Sequence, residues 1–412
     1  MLSVSEALDA VLQHARALPS AWCPLERALC CALAEDVIAE EDSPPFDKAL
    51  VDGYAVRSAD LGGTDRTLGL GEVVPAGRTP TRALGQREAA LVMTGAPIPP
   101  GCDAVVMQER VRSLDGVVVV LEDTIRRGQN LLPRGKEMKA GEVVAARGSI
   151  LAPARLGVVA SVGRAAVQVV PRPRVSIVPT GDELVEPGET PGPGQIRNSN
   201  AVMLHGLVVQ GGAWAESLPI APDDPPRLRE ILGRGLDADL LLVTGGVSTG
   251  QYDLVPATLE SLGARRIFHK VRLKPGKPLW FGIGPPRSDR PGALVFGLPG
   301  NPVSGLVSFL LFVRPALAAL AGKERPGSDL REATLARGFS HRGDRTTYFP
   351  SRLVDRTAGP PDRPCLETLD WSGSADLRTV AQADGFAVFP AGDRDYASGE
   401  TVGFLPMERY PT

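Results

Sequence analysis

From residue 171 to about residue 321 one rhythm repeats: a short apolar run, a loop rich in Gly or Pro, then a segment of helical period. RVSIVPTG, ADLLLVTGG and ALVFGLPG read as strands with their exits. NSNAVMLHGLVVQGG, PDDPPRLREILGRGL, YDLVPATLESLG and NPVSGLVSFLLFVRPALAAL read as helices. Strands apolar along their whole length cannot lie on a sheet with one wet face. The alternation therefore predicts a mostly parallel sheet covered by helices on both sides, a doubly wound α/β domain.

The flanking segments have other textures. Residues 1 to 45 predict a helix through Leu8, Val11, Leu12 and Ala15, and a second through Leu25, Leu29 and Leu33. Residues 46 to 135 carry short strand-like runs, AALVM, DAVVM and GVVVVLE, between PAGRTP and GAPIPPGCD turns. A strand and a helix starting at Pro153 follow in 136 to 170. That stretch is expected to pack with the first 45 residues, making 46–135 an insertion. From about 325 the strand pattern returns, and a small all-β unit is expected. The predicted domains are 1–45 with 136–170, 46–135, 171–324 and 325–412. The chain has 46 Gly and 38 Pro among 412 residues with no collagen-like period, so the excess marks tight connections rather than a fibre.

Charge and cysteines exclude several classes. The net charge of −3 supplies no general affinity for nucleic acid or an anionic membrane. The amino terminus lacks a basic segment leading into an apolar core, so it does not read as a secretory signal. The apolar runs at 154–170 and 303–321 are interrupted by Gly, Arg or Pro, and no membrane span is expected. Cys23, Cys30, Cys31, Cys102 and Cys365 form no C-x-x-C pair, and the four histidines are scattered. This pattern fits a reducing cytoplasm and no structural zinc.

The chemistry is expected at the strand exits. PTGDEL (179–184), VTGGVSTGQYD (243–253) and GLPGNPVSG (297–305) are three such exits on one sheet, where amides and helix N-termini favour anions. Gly245, Gly246, Ser248, Gly300 and Asn301 are the candidate cradle; neither a dinucleotide fingerprint nor a P-loop is present. In HKVRLKPGKPL (269–279), alternation places Lys270, Arg272 and Lys274 on one face if the stretch is a strand, and Lys277 follows a Pro-Gly turn. A solvated edge strand is the plainer alternative. Fixed prolines around the lysines favour phosphate or oxyanion binding. Asp182, Glu183 and Asp253 lie at the same exits, either as helix caps or as holders of a divalent cation.

Six ordered blocks, PPFDKALVDGYAVR (44–57), LVMTGAPIPPGCDAVVMQE (91–109), VPTGDELVEPG (178–188), LLVTGGVSTGQYD (241–253), LKPGKPLWFG (273–282) and GLPGNPVSGLVSF (297–309), span about 270 residues. Together they resemble the molybdopterin molybdenumtransferase family, the MoeA proteins and the gephyrin E domain. The resemblance implies elongated four-domain subunits: a helical/strand N-terminal domain, an inserted β-rich domain, a central α/β domain and a C-terminal small β-barrel. It implies a cytoplasmic homodimer whose clefts are shared between subunits. The implied activity is Mg2+-dependent insertion of molybdate into adenylylated molybdopterin, releasing AMP and molybdenum cofactor. The adenylyltransferase and acceptor molybdoenzymes are the implied partners.

By the same resemblance, Asp52 and Thr94 belong to the second domain's share of the cleft, and Glu183 and Asp253 lie near substrate and cation. Lys270, Lys274 and Lys277 hold phosphates or molybdate, and Arg345 and Ser374 face the cleft. Asp223 or Asp224 matches a family acid, and Glu137 stands where the family often has Asp. The alternatives are a molybdopterin adenylyltransferase, a tungstate-preferring insertase and a non-catalytic scaffold. Asp253→Ala is expected to abolish AMP release from the adenylylated substrate with the fold intact; full turnover by the purified variant contradicts the assigned role.

Overall fold

In the computed structural model, residues 1–247, 254–287, 290–323, 327, 329–355 and 363–407 are described. They form two compact units. One contains Met1–Trp22, Cys30–Ala34 and Gln168 onward; the other contains Cys23–Leu29 and Glu35–Val167.

The first unit is built on a six-stranded sheet in the order Trp214–Ser217, Arg174–Pro179, Leu240–Thr244, Leu294–Leu298, Trp280–Ile283, Arg265–His269. The first four strands are parallel; Trp280–Ile283 runs antiparallel to both its neighbours, so Arg265–His269 again runs with the first four. Successive residues of the central strands feed opposite cores. Ile177, Leu240, Leu242 and Phe296 pack with the Ser199–Gln210 and Pro302–Leu320 helices. Val178, Leu241, Val243 and Val295 pack with Pro225–Gly235 and Leu254–Ser261. Both faces are covered, as the unbroken apolar strands predict.

Val4–His14 joins the first of these cores through Ala7 and Val11. A capping box starts it: Glu6 N–H donates to Ser3 Oγ at 3.2 Å, and Ser3 N–H donates to Glu6 Oε2 at 2.7 Å. The second helix expected through Leu25, Leu29 and Leu33 does not form. Pro24 biases Cys23 away from helical dihedrals, only a Leu25–Arg27 3-10 turn follows, and Cys30 sits at φ +65°. Ala32–Leu33 instead pairs antiparallel with Val169–Val170.

The run at 303–321 forms the buried helix that its apolar pattern predicts. Pro302–Leu320 is one helix of 19 residues, apolar and long enough to cross a membrane by those criteria alone, yet its most apolar window is wholly buried in protein. It passes through a π-helical segment, Phe309–Val313, just before Pro315. Proline has no N–H and its ring crowds the carbonyl four residues earlier, so the local turn widens. Arg314, inside this helix, donates to the Pro406 and Met407 carbonyls and pairs with Asp329 at 3.3 Å.

The C-terminal strands close a five-stranded barrel: Thr346–Val354, Cys365–Thr368, Arg331–Leu335, Thr401–Pro406, Gly385–Phe389 and back to Thr346–Val354. A one-turn helix, Leu377–Val380, interrupts the otherwise all-β pattern. Leu273–Lys274 adds to the barrel as a parallel strand, Leu273 opposite Thr346 and Lys274 opposite Thr347.

The second unit holds a six-stranded sheet in the order Ala104–Met107, Gly53–Val56, Glu88–Val92, Thr67–Val74, Val117–Val120, Val111–Leu114. The last two strands join through Asp115 and Gly116, both at positive φ, the turn that an Asp-Gly pair favours between strands.

Phe281 is fully buried, with ring centroids 5.4 Å from Phe268 and 4.9 Å from Phe296. Phe281→Ala is therefore expected to cost about 3–5 kcal/mol, read as a lower urea midpoint for the unit that contains the α/β sheet.

Candidate active site

The carboxyl ends of the parallel strands converge on a cavity of about 450 Å³, whose lining includes Glu183, Thr244, Gly245, Gly246, Gly300 and Asn301. Two glycines make the close approach possible. Gly245 has φ +89°, and a Cβ there would lie 2.6 Å from the Thr180 carbonyl oxygen. Gly181 has φ +133°, and a Cβ there would overlap the Glu183 carboxylate, which folds back over the turn. Thr180 ties two exits together, its N–H and hydroxyl both donating to the Thr244 carbonyl at 2.9 and 3.1 Å. At the third exit, Asn200 donates to the Gly300 carbonyl at 2.7 Å. Ser248 and Asp253, expected at this site, lie outside the described residues.

A second cavity of about 480 Å³ adjoins the first and shares Pro278, Pro299 and Asn301 with it. Lys274, Lys277, Arg345 and Ser374 line it, and among the described residues no carboxylate does. Three cations around one space, with only Asp344 beside Arg345 to offset them, suit an oxyanion. The ladder between Leu273–Lys274 and Thr346–Thr347 is what brings Arg345 here from the barrel. Arg345 donates through Nη1 to the Leu273 carbonyl at 3.4 Å and through Nε to Asp344 Oδ1 at 3.2 Å. The Arg345 guanidinium holds the Asp344 carboxyl below its ordinary value, and Lys277 adds to that effect. Ser374 is tied to the helix start: Asn301 donates to its hydroxyl at 2.9 Å, and Val303 N–H donates to its carbonyl at 3.1 Å.

Not every expected residue arrives. Lys270 has φ +75° and lines neither cavity, so the even alternation of Lys270, Arg272 and Lys274 is broken. Arg272 N–H instead donates to the Leu2 carbonyl at 2.8 Å. Asp224 caps the Pro225–Gly235 helix by accepting from Arg227 N–H, and Asp182 accepts from Asp223 N–H at 3.0 Å.

In the other unit, Asp52 Oδ1 accepts from both the N–H and the hydroxyl of Thr94, each at 2.7 Å. These bonds hold its carboxyl below the ordinary value. Glu137 accepts from Ser43 at 2.9 Å and pairs with Lys48 at 3.5 Å. Lys48 escaped the sequence reading because its nearness to Glu137 follows from the pairing of Lys48–Ala49 with Leu131–Leu132, which no local pattern announces.

Residues 2–163 match the MoeA N-terminal region (domain I and II), 176–319 a probable molybdopterin binding domain, and 332–407 the MoeA C-terminal region (domain IV). A molybdopterin molybdenumtransferase of Bacillus subtilis is 32% identical, over 98% of this chain and 94% of its own length. Molybdopterin molybdenumtransferase 2 of Mycobacterium tuberculosis is 36% identical, over 97% and 98%. The chain belongs to the MoeA family. A crystal structure of a MoeA protein from Pyrococcus horikoshii is similar along the whole of both chains, with a TM-score of 0.79 at 28% identity. A second structure of a MoeA protein from that organism covers 98% of this chain, with a TM-score of 0.75 at 30% identity. The MoeA architecture therefore carries both cavities of the first unit.

Asp376 anchors the loop that presents Ser374, accepting from Ser372 and Thr379, and its carboxyl is drawn down from 3.8 to about 2 by those bonds. A lowered folded-state value means stability that is present above the unfolded value and is lost as pH falls through the folded one. Asp376→Asn should lower the thermal midpoint at neutral pH. The gap from wild type should close between pH 3.8 and about 2, as followed by circular dichroism.

Proposed function

We propose that this molybdopterin molybdenumtransferase inserts molybdate into adenylylated molybdopterin and releases AMP. The observation that carries the reading is the cavity lined by Lys274, Lys277 and Arg345 and, among the described residues, by no carboxylate, adjoining one ringed by glycine turns. The first is suited to a tetrahedral dianion. The second, at the strand exits, is suited to the phosphates of an adenylylated substrate. Molybdate gives up one oxygen as water when the two dithiolene sulfurs bind molybdenum, and one water is consumed when the phosphoanhydride is cleaved, so the exchange balances.

Glu183 lines the phosphate cavity, and among the described residues no group of three His, Cys, Asp or Glu side chains gathers to hold a metal. One or two carboxylates with substrate phosphates are an ordinary Mg2+ environment, so Glu183 fits that ion, and Asp253, outside the described residues, would be its second carboxylate. Bound there, Mg2+ would supply neutralisation of phosphate charge. Lys274 and Lys277 would hold the incoming oxyanion, Arg345 would orient it through a planar fork, and Ser374 would donate its hydroxyl. Lys270 would act at longer range, on the approach of anions. Asp52 and Thr94, with Glu137 in place of the family Asp, would serve the cleft of a partner subunit in a homodimer. The reading also includes the four-domain boundaries, a cytoplasmic location, and exchange with the adenylyltransferase and acceptor molybdoenzymes.

Purified protein with adenylylated molybdopterin, Mg2+ and either molybdate or tungstate provides the test. Release of AMP that depends on the oxyanion is expected; release without it contradicts the reading. Lys274→Ala should raise the molybdate concentration needed for half-maximal rate by roughly 10- to 100-fold, the worth of one charge-assisted hydrogen bond.

A further inference from the structure

His341 does not line the cationic cavity, and none of the chemistry above uses it. It is 3% exposed, and its ring stacks on Phe389 at 5.8 Å with 16° between the planes. Both nitrogens are engaged: Nδ1 is 2.9 Å from the Gly392 carbonyl oxygen, and Nε2 is 2.9 Å from Thr347 Oγ1. Thr347 Oγ1 is also 3.3 Å from the carbonyl oxygen of Arg345.

Proton counting settles the roles. A carbonyl only accepts, so Nδ1 carries hydrogen in either charge state. In the neutral ring Nε2 is then an acceptor, and it takes the single hydroxyl hydrogen of Thr347. Thr347 cannot donate to Arg345 at the same time. Both contacts lie within hydrogen-bond distance, 2.9 Å to the ring and 3.3 Å to the Arg345 carbonyl, so the single hydroxyl hydrogen can serve either one. When the ring is protonated, Nε2–H donates to Thr347 Oγ1 and the hydroxyl hydrogen turns to the Arg345 carbonyl.

We infer that His341 is a positioning residue for Arg345, acting through the Thr347 hydroxyl, and that its protonation fastens Arg345 at the oxyanion cavity. Every other link of the loop is independent of the ring's charge. Gly392 N–H donates to the Gly343 carbonyl at 2.7 Å, and Gly343 N–H donates to Asp393 at 3.1 Å. The charged groups around His341 are Arg394, directly across the ladder, with Arg342, Asp344, Asp393 and Asp395. Arg342 pairs with Asp395 and Arg394 with Glu400, so their charges are balanced locally. Lys274 enters from the neighbouring strand, opposite Thr347.

The inference rests on the proposed oxyanion site, and two measurements on the full-length protein separate the two. First, nitrogen NMR of the histidines, of which the chain has four, should show His341 as the Nδ1–H tautomer at about pH 8. The Nε2–H tautomer overturns the inference whatever the site binds. Second, calorimetry with molybdate alone should show wild-type binding about fivefold tighter at a pH where the NMR shows both His341 nitrogens protonated than near pH 8, the worth of one hydrogen bond. His341→Gln can copy the neutral pattern but cannot be charged, and Thr347→Val keeps the strand shape without the hydroxyl. Both should lose the pH dependence and bind as wild type does at the higher pH. Variants that keep the wild-type pH profile overturn the role of His341 and leave the site intact. No molybdate binding by wild type at either pH overturns the site reading, and the role of His341 with it.

Discussion

The short parallel ladder between Leu273–Lys274 and Thr346–Thr347 is the contact on which the cationic cavity depends. Lys274 and Lys277 come from a loop of the α/β sheet, while Arg345 and Ser374 come from the barrel. Without that ladder the two lysines would stand apart from Arg345. Arg345 reinforces it by donating to the Leu273 carbonyl, and Ser374 is fastened by Asn301 and Val303. Main-chain pairing places the cations, and the Asp344 carboxylate beside Arg345 offsets part of the repulsion among them.

The adjoining cavity depends on glycine in another way. Its wall is formed where three strand exits meet, with Thr180 bonded to Thr244 and Gly245 N–H to the Leu298 carbonyl at 3.2 Å. A side chain at Gly245 would push the Thr180 carbonyl away and open that seam. The abundance of glycine and proline in the chain thus has two functions, ordinary turns on one hand and close backbone approach at the exits on the other.

Much of the α/β domain was legible because fully buried strands must be apolar throughout, a demand visible in RVSIV and LLLVT without any knowledge of neighbours. The helix from Pro302 was legible as one buried helix, but its π-helical segment was not. Arg314 and Pro315 read as interruptions until the carbonyls of Pro406 and Met407 and the π-helical segment are seen to accommodate them. The helix expected through Leu25 and Leu29 failed for the opposite reason. A short apolar stripe is a weak signal, and Pro24, with the pairing of Ala32–Leu33, outweighed it.

The residue order by itself determined the alternation of strands and helices, the glycine-rich exits and the identity of the lysines near them, since each is set by local sterics or by periodicity. It also carried the six blocks through which the family is read. Tertiary structure decided which of these groups meet. Lys274 faces the cavity and Lys270 does not, because a left-handed dihedral at Lys270 breaks the alternation between them. Arg345 joins the lysines of the 273–282 block although it lies 68 positions beyond Lys277 in the chain, and Glu137 reaches Lys48 through a two-residue ladder. Such encounters are fixed by hydrogen bonds between distant backbone segments, whose energies depend on the whole fold and leave no periodic trace in the chain.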